Sequence, residues 1–202
     1  QLVPEIGGKY DCVYELVEKN TIGKNNRYLM IAKDDKAYMG FGSDPSGNFP
    51  NNWWEYDITN DSWSQLASFP GAGRNHPAMV VVGNSVFVGC GSNTSNLNDW
   101  WEYNINTDTW TQKPDLPGNT RHHPFYFSID DFAYVGFGHG SSTGPGSNPS
   151  TGVYIFNDFY RYNARHHCLD GKRRGNKFSL GDRIDVFIGD VKELEGKISL
   201  YY

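Results

Sequence analysis

The feature that most constrains what this chain can fold into is a duplication. Asn52-Trp53-Trp54-Glu55-Tyr56-Asp57-Ile58-Thr59-Asn60-Asp61-Ser62-Trp63 returns almost letter for letter as Asp99-Trp100-Trp101-Glu102-Tyr103-Asn104-Ile105-Asn106-Thr107-Asp108-Thr109-Trp110, with Trp63 and Trp110 47 residues apart. Self-similarity at such a period marks a repeat architecture, in which each unit buries its apolar faces only by stacking on its neighbours.

A second periodic element precedes each copy. Tyr28 to Ala32, the pair Asp34-Asp35 and Lys36 to Gly42 read as two short strands joined by a two-residue turn. The unit recurs as Met79 to Val82, Gly83-Asn84 and Ser85 to Gly91, and again as Phe125 to Ile129, Asp130-Asp131 and Phe132 to Gly138. Each hairpin closes on Gly-x-Gly, which lets the chain turn where a side chain would obstruct it. A polar loop follows, then a strand with paired aromatics, an Asn/Asp/Thr turn and a strand opened by Trp. That makes four strands per unit. The third copy carries a longer loop from Ser141 to Gly152 before Asn157-Asp158-Phe159-Tyr160-Arg161-Tyr162-Asn163, and no Trp follows.

Composition agrees with an all-β chain: among 202 residues there are 23 Gly, 6 Trp, 13 Tyr and 12 Phe. The net charge of -5 gives no reason to expect a polyanion as partner for the whole chain. Charge is uneven, however, with 10 basic and 17 acidic residues up to Ala164 and 8 basic and 6 acidic from Arg165 onward. Three cysteines, Cys12, Cys90 and Cys168, are too scattered for a disulfide framework, and the odd count leaves one thiol free unless it pairs between chains. No apolar run reaches the ~20 residues that span a bilayer. The start lacks the basic-then-apolar pattern of a signal peptide, as expected of a cytosolic protein or of a chain that begins after processing.

Four antiparallel strands per unit, a period near 47, a hairpin ending in paired glycines and a Tyr then Trp spaced seven apart resemble the kelch repeat, the blade of a β-propeller, over about Arg27 to Asn163. The version around Trp53 to Arg74 is similar to the repeats of bacterial secreted or surface propellers. The resemblance implies about three four-stranded blades within residues 21–163. Closed propellers have about four to eight blades, so three imply a fragment, an open array or a homo-oligomer that completes the ring. Residues 1–20 are expected to add one strand, because Tyr10 to Leu16 lines up with Asn60 to Leu66 and could close the last blade.

Residues 164–202 belong to another pattern. Gly181 to Ile188 alternates polar and apolar, and Gly196 to Tyr202 reads as its return strand around a turn at Val191 to Glu195. His167, Leu169, Gly171, Arg173, Gly175, Phe178, Leu180, Gly181, Asp182, Ile184, Val186 and Ile188 together are similar to the closing part of the OB-type RNA-binding domain of RNase II-class exoribonucleases. This resemblance implies a C-terminal OB-like β-hairpin with RNA contact and no RNA cleavage, and residues 1–20 then become the first strand of a split barrel. A chain joining the two families would be either a natural fusion or a hybrid, a possible chimera.

Candidate ligand-binding residues follow from the repeats. Arg74-Asn75-His76-Pro77 and Arg121-His122-His123-Pro124, with Asn25-Asn26-Arg27 as counterpart, recur just before each first strand. The first strand of a propeller blade lines the channel, so Arg27, Arg74, His76, Arg121 and His123 would ring its mouth and meet an anionic or sugar ligand. Recurrence in every copy equally suits a bracing role between blades, and that reading is preferred. In the tail, Lys172, Arg173, Arg174, Lys177 and Phe178 could track a phosphate backbone with one stacking ring, although a short basic loop is usually just solvated. His166-His167-Cys168-x-Asp170 has zinc-type residues without a second ligand pair at standard spacing, so no metal site, no cofactor and no catalytic set is nominated.

The function expected is a non-enzymatic binding module that recognises a protein or glycan through channel-mouth loops. The alternatives are single-stranded RNA binding through the basic tail and a sugar-acting propeller enzyme of the sialate mutarotase kind. The first resemblance implies a secreted or periplasmic setting and the second a cytoplasmic one.

Overall fold

The computed structural model describes residues 28–141, 153–165, 168–172, 187–192 and 197–201. Every regular element among them is a β-strand, and none of the described residues forms a helix long and apolar enough to cross a membrane. The first sheet is a meander of β1 (Leu29–Lys33), β2 (Lys36–Gly40), β3 (Trp53–Asp57) and β4 (Ser62–Gln65), paired in sequence order. The second repeats it with β5 (Ala78–Val82), β6 (Ser85–Gly89), β7 (Trp100–Asn104) and β8 (Thr109–Lys113).

The third sheet is built from β9 (Phe125–Ile129), β10 (Phe132–Gly136), β13 (Phe159–Asn163) and β14 (Cys168–Lys172). A small hairpin of β11 (His139–Ser141) and β12 (Val153–Ile155) interrupts it. Here the structure departs from the expected end of the repeats at Asn163. Cys168–Lys172 pairs antiparallel with β13, setting Arg161 opposite Asp170, and supplies the fourth strand without the expected Trp. Ladder bonds use backbone groups that every residue but Pro carries, so an edge strand can form without the aromatic signature. Residues 1–20, proposed as that strand, lie outside the described residues. A C-terminal hairpin pairs β15 (Phe187–Lys192) with β16 (Lys197–Tyr201) and is irregular between Ile188 and Asp190, while residues 181–186 of the expected strand lie outside the described residues.

Local geometry explains the repeat signature. Lys33 pairs with Lys36 and Val82 with Ser85, so the turns have two residues, and their first members, Asp34 and Gly83, take left-handed φ values of 56° and 57°. In each Gly-x-Gly the first glycine lies under an aromatic ring. A Cβ at Gly89 would stand 2.1 Å from the Trp100 ring. The second glycine is left-handed, with φ of 86° at Gly42, 89° at Gly91 and 76° at Gly138, a region only glycine enters without cost.

The sheets stack side by side, β1 lying against β5 and β5 against β9 at the inner edge. Between the first and second, Tyr38, Phe41, Trp53 and Phe69 pack against Met79, Val86, Val88 and Tyr103. Trp53 is met edge-on by Tyr103 at 5.6 Å and by Trp110 at 5.4 Å, contacts worth about 0.5–1.5 kcal/mol each beyond area burial. Between the second and third, Ala78, Val80, Val82, Phe87 and Trp100 pack against Ala133, Val135, Tyr160 and Tyr162. The core is therefore a pair of layers between blades, and the twin Trp residues fill it.

Candidate functional site

The loops that enter the innermost strands are fixed first by two arginines. Arg74 donates from Nε to the Ala72 carbonyl at 2.9 Å, from Nη1 to the Cys90 carbonyl at 2.9 Å, and through both Nη groups to the Asp99 carboxylate, the Nη2 bond being 2.6 Å. Arg121 repeats this one blade on, donating to the carbonyls of Asn119 at 3.1 Å and Phe137 at 3.2 Å and gripping Asp158, with Nη2 at 2.8 Å. Both arginines are fully buried, Arg74 over the Phe69 ring and Arg121 over that of Phe156.

The forked geometry is what allows a guanidinium to be buried at all. Burial opposes both charges at the Arg121–Asp158 pair. The mutual hydrogen bonds win, so the Arg121 pKa is raised and that of Asp158, which also accepts from Tyr160 Oη at 2.7 Å, is lowered. Each arginine's own carbonyl caps the preceding blade: Gly42 N–H donates to the Arg74 carbonyl at 2.9 Å and Gly91 N–H to that of Arg121 at 2.8 Å. In the first blade Asn52 stands where Asp99 and Asp158 stand later.

On these braced loops the structure brings four histidines together. His76 and His123 occupy the same repeat position, each before a proline and each left-handed with φ of 50° and 53°, a conformation His adopts more readily than most residues. Their loops are joined by His123 N–H donating to the His76 carbonyl at 3.3 Å, and their rings stack with centroids 3.8 Å apart. His122 and His139 exchange two backbone hydrogen bonds, 2.9 and 3.1 Å, and their rings meet at 4.1 Å. His139 also stacks on His123 at 5.2 Å.

Burial, then the neighbouring imidazoles of His139, His123 and His76, push the His122 pKa down to about 4, so that ring is neutral at neutral pH. His123 is exposed while His76, His122 and His139 are half-buried. The cluster is thus accessible from one side and rigid on the other. Neutral imidazoles each offer one donor and one acceptor, which suits hydroxyl, amide or carboxylate partners.

Of the residues nominated from sequence, the structure gathers His76 and His123 into this cluster, while Arg74 and Arg121 are buried braces of the same entry loops. Arg27, Arg173, Arg174, Lys177 and Phe178 lie outside the described residues, and Lys172 is placed only as the last residue of β14. Two members were not nominated, His122 and His139. His122 occupies the position of Asn75, and His139 follows the third Gly-x-Gly where Ser92 follows the second. Aligning the repeats and asking where the third copy changes to histidine would have found both.

The chain was compared with known proteins. A family model described as Kelch motif matches residues 73–117, which span the entry loop and all four strands of the second blade. No curated protein matches the chain. Among solved structures it is similar to the one titled "Structure of YjhT", at 18% identity and a TM-score of 0.62, with 77% of this chain and 53% of that chain covered. The chain therefore spans about half the length of that structure. Together with the three four-stranded sheets, this supports an array of kelch-type propeller blades.

Proposed function

We propose that this array of kelch-type blades is a non-enzymatic binding module that takes a protein or glycan ligand at the axial histidine cluster. The observation that carries the reading is the convergence of His76, His122, His123 and His139 on loops braced by buried ion pairs. Such a site is largely pre-formed, so little ordering cost falls on binding. The full burial of Arg74 and Arg121 and their bonds to carbonyls and a carboxylate speak for binding over a sugar-acting enzyme in which those arginines would hold the substrate. Glycan-array and peptide-array binding, weakened by His123→Ala and His76→Ala without turnover of a sugar anomer, is the expected result. Turnover lost on Arg74→Ala would move the chain to the enzyme reading. Salt-sensitive binding to single-stranded RNA, abolished by changing Lys172, Arg173 and Arg174 to Ala, would move it to the tail.

A second reading concerns assembly, and the outer face of the third blade favours it. Phe125 is 69% and Ile129 54% exposed, whereas their counterparts Ala78 and Val82 in the second blade are 0% and 6% exposed beneath the third. Phe127, Tyr134 and Phe159 form a stacked ladder on that face, with centroids 4.8 and 5.8 Å apart. Contiguous apolar patches of this kind mark interaction sites. The occupant is a second copy of this chain, because every such face within the array is covered by the next copy of the same repeat. Light scattering should give a dimer mass, and Phe127→Lys should return it to the monomer. A monomer at all concentrations would refute the reading.

A further inference from the structure

We propose that His122, His123 and His139 form a transition-metal site between the entry loop of β9 and the start of β11. This goes beyond the binding-module reading and does not depend on it. Ligand nitrogens of the three residues lie within 4.8 Å of one another. A tetrahedral ion with metal–nitrogen bonds of about 2.0–2.1 Å needs its ligands roughly 3.4 Å apart, so rotation about the side-chain torsions closes the site. Three imidazoles are the donor set of divalent zinc, nickel, cobalt or copper, since hard cations prefer oxygen.

Two features make the convergence more than a neighbourly accident of sequence. Consecutive residues on a strand point to opposite faces, yet the His122 and His123 rings lie only 4.8 Å apart. The left-handed φ of 53° at His123 breaks the alternation and turns both toward His139. Moreover, His122 Nδ1 is buried without a hydrogen-bond partner among the described residues. A buried nitrogen without a partner is a cost to the fold, and a cation bound there would relieve it. His76, stacked on His123, borders the site on its open side.

The whole chain, stripped of metal by a chelator, should be titrated with Ni2+ and with Zn2+ by calorimetry, and its thermal midpoint measured with and without each ion. The proposal expects one equivalent bound per chain and a raised midpoint. His139→Gln and His122→Gln should each weaken binding at least about tenfold, no less than the loss of a residue that merely orients a ligand, and abolish the midpoint rise. Joint substitution of His166 and His167 by Ala in the tail should change neither. If either glutamine variant proves unfolded by circular dichroism, His123→Ala at the exposed corner carries the same test. No saturable binding, or binding that survives the axial substitutions or disappears with the tail pair, overturns the assignment.

Discussion

Trp110, on the fourth strand of the second blade, donates its indole N–H to the carbonyl of Ala67 at 2.9 Å, in the segment that joins the first blade to the second. Asp108 completes the strap by accepting from Ala67 N–H at 2.9 Å. The outermost strand of one blade therefore holds the exit of the blade before it.

Trp110→Phe retains most of the packing on Trp53 and Phe69 but loses this bond, and should lower stability by about 1 kcal/mol. Trp110→Ala removes the ring contacts as well and should cost about 2–3 kcal/mol for a partly exposed site. Urea midpoints of the two variants distinguish the bond from the packing. Equal losses would assign the whole effect to the bond.

Asp158 ties acid sensitivity to the Arg121 brace. Its folded pKa is lowered, so near and below about pH 4, the ordinary carboxylate value, the unfolded chain binds a proton that the folded chain does not. The stability it contributes is complete above that pH and is lost as pH falls through its folded pKa. Asp158→Asn should destabilise the chain at neutral pH by about 3–5 kcal/mol, the cost of leaving one member of a buried pair alone, and should flatten the acid limb of the stability curve. An unchanged acid limb would mean that other carboxylates govern it.

Cys90 should behave as an inert thiol. It is fully buried beneath the third blade, and desolvation pushes its pKa up to about 12 despite the nearby Arg121 and Arg74 charges. Peptide-resolved alkylation at neutral pH should leave Cys90 unmodified until the chain unfolds globally. Rapid native-state labelling would show that the second and third blades separate readily.

Two left-handed glycines offer a paired test of backbone strain against crowding. Gly91 has a φ of 89°, and a Cβ there would stand 2.6 Å from the Asn75 carbonyl oxygen, whereas Gly47, with a φ of 84°, would meet nothing within 4 Å. Gly47→Ala should cost only the conformational penalty, roughly 1–2 kcal/mol. Gly91→Ala must also displace backbone next to His76 and should cost at least about 3 kcal/mol. Thermal midpoints of the two variants read the difference directly.

Most of the architecture was legible because it rests on local rules repeated three times. Two-residue turns at Asp34-Asp35 and Gly83-Asn84, the Gly-x-Gly closures and the Trp-Trp strands each announce themselves in sequence. The fourth strand of the third blade did not. Cys168–Lys172 lies at a sheet edge, where backbone pairing suffices and no Trp is required. At the candidate site, Arg74 and His76 were visible by recurrence. Their partners Asp99 and Asp158 were not, because an ion pair across 25 or 37 residues has no local signature. His139 was hidden for the same reason, since only the bridge to His122 brings it to the cluster.

The capping of Gly42 by the Arg74 carbonyl, repeated at Gly91 and Arg121, gives the array a polarity like that of a filament with two unlike ends. At both described junctions the earlier blade offers an N–H forward to the entry loop of the next, through the same pair of groups. Junctions of this kind are interchangeable parts. Excising residues 74–120 would bring Gly42 to the Arg121 carbonyl in the relationship that Gly91 now holds. Lengthening or shortening of the protein by whole units is thus written into its joints, while the loss of a fraction of a unit would put every later contact out of phase.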